Sequence, residues 1–100
     1  MRTTTRGDTL LISDIPTLTS DTSRPFKEHA HGALLSEHRF VEVDLSQART
    51  VDSEGIGALI SIHKAICAQG GRVRLLQPAP LIAEMFTLLR LDHLFDIVPR

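Results

Sequence analysis

Between Phe40 and Leu76 the residue pattern changes period twice, and this alternation limits the fold more than any other feature of the chain. Phe40-Val41-Glu42-Val43-Asp44-Leu45 alternates apolar and acidic residues from Val41 on, the two-residue repeat of a strand. Just after Asp52 the repeat becomes helical, with Ile56, Leu59, Ile60, His63, Ile66 and Cys67 on one broad face. Gln69-Gly70-Gly71 ends that helix, since a glycine can take the left-handed conformation needed at a helix C-terminus. Arg72-Val73-Arg74-Leu75-Leu76 then reads as the next strand. A strand, a helix and a strand at this spacing require a crossover connection, and hence parallel pairing.

The flanking segments extend the same pattern. Thr9-Leu10-Leu11-Ile12-Ser13 suits a buried strand, and Pro16 limits any strand near Thr17-Leu18-Thr19 to a short or edge position. Ser20-Asp21-Thr22-Ser23 is rich in helix-capping residues, and Pro25 falls in the first turn, where its missing N–H costs little. Phe26, Ala30, Ala33 and Leu34 share one face of a helix expected to run to about Glu37, weakened by Gly32. Gln77-Pro78-Ala79-Pro80 leads into a last helix carrying Ile82, Met85, Phe86 and Leu89, and Leu94–Val98 closes the chain as a short strand. Residues 1–8 are expected to be a flexible tail and residues 9–100 one domain. The expected fold is α/β: a mostly parallel central sheet of four to five strands packed with three to four helices.

Composition removes several classes of function. One hundred residues support one core, and 42% apolar with 23% charged residues is ordinary for a globular protein. The eleven Lys and Arg are scattered and the net charge is −1, so no nucleic-acid partner is expected. Cys67, the only cysteine, can form no internal disulfide, and the chain reads as reduced and cytoplasmic. No run approaches the roughly 20 apolar residues of a membrane helix, so direct membrane insertion is not expected.

His29 and His31 are two apart, His38, His63 and His93 are isolated, and no pair of histidines has the i, i+4 spacing of a zinc site. Neither a metal nor a cofactor is expected. Cys67 is read as a small core residue with no adjacent base, and Asp44 and Asp52 as loop and cap residues. No catalytic residue emerges, so the chain is not read as an enzyme. The last helix is more apolar than one buried face requires. Leu81 or Leu88 is therefore expected to be partly exposed, either as a dimer or partner contact, compatible with a homo-oligomer, or as ordinary scatter of surface leucines.

Val51-Asp52-Ser53-Glu54-Gly55-Ile56-Gly57 holds the chemistry of interest. The first N–H groups of a helix lack intrahelical partners. Asp52 or Ser53 can cap them, and the charges of Asp52 and Glu54 suit the positive end of the helix dipole. Gly55 and Gly57 each cost about 1 kcal/mol against alanine in a helix. They imply close approach by another backbone or by a partner, or simply tight packing of the helix on its own sheet.

With Val41–Leu45, Asp52–Gly57, the Gly70-Gly71 break, Arg72–Leu76 and the Leu91–Phe95 close, the chain resembles a STAS domain from Leu10 to Val98. The nearest branch is that of the bacterial anti-sigma factor antagonists. The resemblance implies a STAS-like fold, no catalysis, and docking to a protein partner that is an anti-sigma factor and serine kinase. It places partner contacts in the loop 19–23, with Thr19, Ser20 and Asp21, and at Asp52, Ser53, Glu54, Gly55, Ile56 and Gly57.

In that family a phosphorylatable Ser or Thr immediately precedes the first motif glycine, and phosphate, with roughly −1.5 to −2 charges, ends docking. Here that position is Glu54, which has no hydroxyl, and Thr19 stands where the family has an Asp. Three readings stay open: Glu54 as phosphate mimic, Glu54 as a direct contact for a basic partner residue, or Ser53 as substitute acceptor. The alternative partner is the ATPase subunit of an ABC-type lipid or solute transport complex. Arg90 stands where many relatives carry glycine, so the turn after the last helix is expected to differ.

Overall fold

The structure, a computed structural model, describes residues 1–100. Strands β1 (Arg2–Arg6), β2 (Thr9–Ser13), β3 (Phe40–Asp44), β4 (Arg72–Leu76) and β5 (Asp96–Val98) form one sheet in sequence order. Helices α1 (Ser23–Ala33), α2 (Ser53–Cys67) and α3 (Pro80–Leu88) connect the strands from β2 onward. Each helix crosses over between neighbouring strands, so β2 through β5 are parallel, with Leu10 opposite Val41 and Val41 opposite Val73. The sequence's alternation has its full effect here. Leu10, Ile12, Val41, Val43, Val73 and Leu75 are buried to within 1% of completely. They pack into one core with Phe26 and Ala30 of α1, Leu59, Ile62 and Ile66 of α2, and Ile82 and Phe86 of α3.

The other set of strand positions is half-buried in β2 and β3 and more exposed towards β5. Leu11, Glu42, Arg74 and Asp96 lie side by side across the sheet by register. Arg74 donates to Glu42 at 3.0 Å and lies 3.7 Å from the Phe40 ring centroid. Arg72 grips Asp96 through two bonds of 2.9 and 2.7 Å. The Arg72 guanidinium holds the Asp96 carboxyl below the usual carboxylate range.

Four expectations are corrected. Residues 2–6 are not a loose tail: they form β1, paired antiparallel with β2 from Arg2↔Ser13 to Arg6↔Thr9. Three threonines favour extended backbone, and Gly7, at φ +59°, makes the two-residue turn that returns the chain. Next, α1 stops at Ala33 instead of near Glu37. The cause is His38, which is fully buried. Its Nδ1 accepts from the Leu35 N–H at 2.9 Å, withdrawing that donor from any longer helix, while Nε2 meets the Thr5 hydroxyl at 3.1 Å. These bonds assign the neutral ring with its proton on Nε2.

The third correction is Cys67, which is exposed, with its sulfur 3.6 Å from the His63 ring. It lies in the last turn of α2 beside buried Ile66, off the face of Leu59, Ile62 and Ile66 that the core covers. Finally, Thr17–Thr19 yields no strand, only a single parallel bridge between Leu18 and Val51. The turn after α3 is made by Arg90 itself in the left-handed region, at φ +59°.

Candidate functional site

Parallel pairing puts the start of each helix at the carboxyl end of the strand before it, where open α/β sheets generally place their binding surfaces. The loop between β2 and α1 runs beside the approach to α2 and is fastened to it by main-chain bonds. Arg49 N–H donates to Pro16 O at 3.0 Å, Leu18 N–H to Thr50 O at 2.9 Å, and Asp52 N–H to Leu18 O at 3.1 Å.

Asp52 joins the two segments through its side chain as well. Its backbone is extended, at φ −109° and ψ −175°, as an N-cap requires. One carboxylate oxygen accepts from Gly55 N–H at 2.9 Å and the other from Ser20 N–H at 3.0 Å. The Gly55 bond, aided by that from Ser20 and opposed by desolvation, holds the Asp52 carboxyl below its ordinary range. Asp52 is therefore an ionised clamp between the loop and the helix.

Gly55 is required by sterics. A Cβ at that position would lie 2.0 Å from Leu18 O, so the helix rests directly on the loop backbone. Of the readings left open for the two glycines, Gly55 is explained by the protein's own backbone. Gly57 meets nothing within 4 Å of a built Cβ and faces open space.

Around this frame Ser20, Asp21, Ser53, Glu54 and Gly57 are exposed, while Thr19, Asp52 and Ile56 are half-buried. Glu54 lies in the first turn of α2, in the positive field of the helix terminus. The surface thus offers Asp21 and Glu54 as free carboxylates beside a clamped third, with Ser20 and Ser53 as neutral hydroxyls. Such a surface suits recognition of cationic groups.

Thr22 was not among the expected site residues, yet it shapes the loop. Its hydroxyl accepts from Thr19 N–H at 2.9 Å and donates to Thr17 O at 3.2 Å. It makes no cap bond to α1. The capping-rich cluster Ser20–Ser23 was visible in the sequence, but which member folded the loop was not. Asp44, read as a loop residue, accepts from Ser46 N–H at 2.9 Å and shapes a separate turn. His63 stacks edge-on against Phe95 at 5.5 Å, and no third His, Cys, Asp or Glu joins it and Cys67 in a metal-sized cluster. No helix is long and apolar enough to cross a membrane.

A one-core α/β domain with helix starts gathered at one end of a largely parallel sheet is the class these features define. The family model described as "Mlab, STAS domain" matches residues 6–99, and the chain belongs to the STAS domain family. Among solved structures it is similar to a putative anti-sigma factor antagonist from Thermotoga maritima, TM1081. That crystal structure has a TM-score of 0.88 at 21% identity, covering 99% of this chain and 86% of that one. Unphosphorylated SpoIIAA, an anti-sigma factor antagonist, gives 0.71 at 18% identity, over 86% of this chain and 80% of that one. Phosphorylated SpoIIAA, the Bacillus cell fate determinant, gives 0.75 at 17% identity over 99% and 91%. No curated protein matches the chain in sequence. At these identities the likeness establishes the fold, and the proteins that share it here are regulatory antagonists.

Proposed function

We propose that this domain is a non-catalytic docking module of bacterial signalling, of the anti-sigma factor antagonist type, acting in the cytoplasm. It binds a protein partner through the loop 19–23 and the start of α2, residues 53–57, with Glu54 making a direct contact to an Arg or Lys of that partner. The observation that carries this reading is the exposed Glu54 carboxylate at a helix start held rigidly to the loop by Asp52.

Glu54 supplies one charge and two oxygens, against roughly −1.5 to −2 charges and three oxygens for a phosphate. It imitates a phosphorylated residue poorly and suits an ordinary ion pair. Docking of this kind has no covalent switch at position 54. A second reading is supported by the family model that matches the chain: a non-phosphorylated STAS subunit bracing the ATPase of an ABC-type lipid or solute transport complex.

Co-purification with candidate anti-sigma kinases and ABC ATPase subunits, followed by titration of the one retained, separates the two. Glu54→Lys sets like charges against each other and is expected to weaken the partner by about tenfold or more, and Ile56→Asp to abolish capture. Incubation with the kinase and mass spectrometry should leave Ser53 unmodified. Unchanged affinity in both variants, or phosphate on Ser53, would overturn the proposal.

A further inference from the structure

A cleft of about 190 Å³ opens beside the docking loop, between the end of β2 and the first turn of α1. Its buried lining includes Ile15, Leu18 and Phe26, and Pro16 and Pro25 are exposed at its rim. Small-molecule pockets usually hold roughly 300–1,000 Å³, so this one is too small for a cofactor or nucleotide.

Apolar surface dominates its lining, which Met1, Asp14, Thr17 and Thr22 complete. The Thr22 hydroxyl is committed to Thr19 N–H and Thr17 O. The Asp14 carboxylate lies 3.8 Å from the Arg2 guanidinium. What fits is a compact apolar group.

The cleft is also continuous with the proposed recognition surface. Leu18 lines it while the Leu18 carbonyl accepts from Asp52 N–H and supports Gly55. Thr22 lines it while holding the loop that presents Ser20 and Asp21. An apolar group seated here would therefore belong to the molecule that meets Glu54. Buried apolar anchors flanked by polar contacts are the usual source of affinity at protein interfaces.

We infer that the cleft between Pro16 and Phe26 receives one large apolar side chain, of leucine or phenylalanine type, from the docking segment of the protein partner. This rests on the docking reading above and adds a second, uncharged determinant to it. The partner segment carries a basic residue for Glu54 and an apolar anchor for the cleft.

The cleft is tested without the partner, by titrating the ¹⁵N-labelled full chain with N-acetyl-leucinamide and with N-acetyl-alaninamide. The leucine probe should shift the amides of Thr17, Leu18, Thr22 and Phe26, with a midpoint about tenfold lower than that of the alanine probe. Thr17→Trp should abolish the response by filling the cleft. Pro25→Trp at the exposed rim serves the same purpose if the first variant is unfolded, and Leu88→Ser on α3 should respond as wild type. Equal response to both probes, or shifts confined to other residues, would overturn the inference. Glu54→Lys leaves the cleft intact and should respond fully. If that variant loses the partner while the wild-type protein ignores the probe, the cleft alone is misassigned. A normal probe response with partner binding indifferent to Glu54 condemns the docking surface instead.

Discussion

Gly55 and Gly57 are two positions apart and look alike in the sequence, yet the structure gives them opposite roles. Gly55 supports Leu18 O so closely that Gly55→Ala forces the helix and the loop apart. It should cost about 1–3 kcal/mol, as overpacking against an unyielding neighbour does. Gly57→Ala enters open space within a helix and should stabilise the protein by about 0.5–1 kcal/mol. Urea unfolding of both variants would show midpoints moving in opposite directions, and a shared direction would contradict the assignment. The sequence made the pair conspicuous because glycine is unfavourable in a helix. It could not say which one had a neighbour, since Leu18 lies 37 positions away and approaches through its backbone.

Helix α2 shows how an element's start can be tied to the rest of the molecule by one titratable side chain. Asp52 has a folded pKa below its unfolded value, chiefly through the Gly55 N–H and then the Ser20 N–H. A carboxyl shifted in this direction contributes its stability above the unfolded value, near 3.9. That contribution is lost as pH falls through the lower folded value. The stability gap between wild type and Asp52→Ala should therefore be largest from about pH 5 upward and should shrink steadily in more acid solution. Denaturant midpoints at a series of pH values would show it, and a gap that widens in acid would refute the clamp. The cap itself was legible, because an Asp directly before a 3.6-residue repeat has few other uses. The bond to Ser20 was not, since it spans 32 positions and depends on how the loop folds. Helix α1 was misjudged at its far end for the same reason: its repeat continues past Ala33, but buried His38 takes the Leu35 N–H for itself.

Across the whole molecule, strand alternation and helix spacing carried the architecture, and β2, β3, β4, α2 and α3 follow from them. Strand β1 did not, because Arg2-Thr3-Thr4-Thr5-Arg6 has no apolar face of its own and becomes a strand only by pairing with β2. Removal of residues 2–6 should therefore do harm that removal of a tail would not. It uncovers the β2 edge and takes Thr5 from buried His38, and a buried polar group left without a partner costs about 1–3 kcal/mol. Thermal unfolding of the truncated chain should show a clearly lower midpoint, and an unchanged one would mean that the hairpin adds nothing. The fastening of the loop 16–20 to the approach of α2 has a wider consequence. It relies on carbonyls, amides, one aspartate and one glycine, so the neighbouring side chains of Ser20, Asp21, Ser53 and Glu54 carry none of the mechanical load. Substitution at those four positions can therefore change the face of the docking site we propose without disturbing the scaffold beneath it.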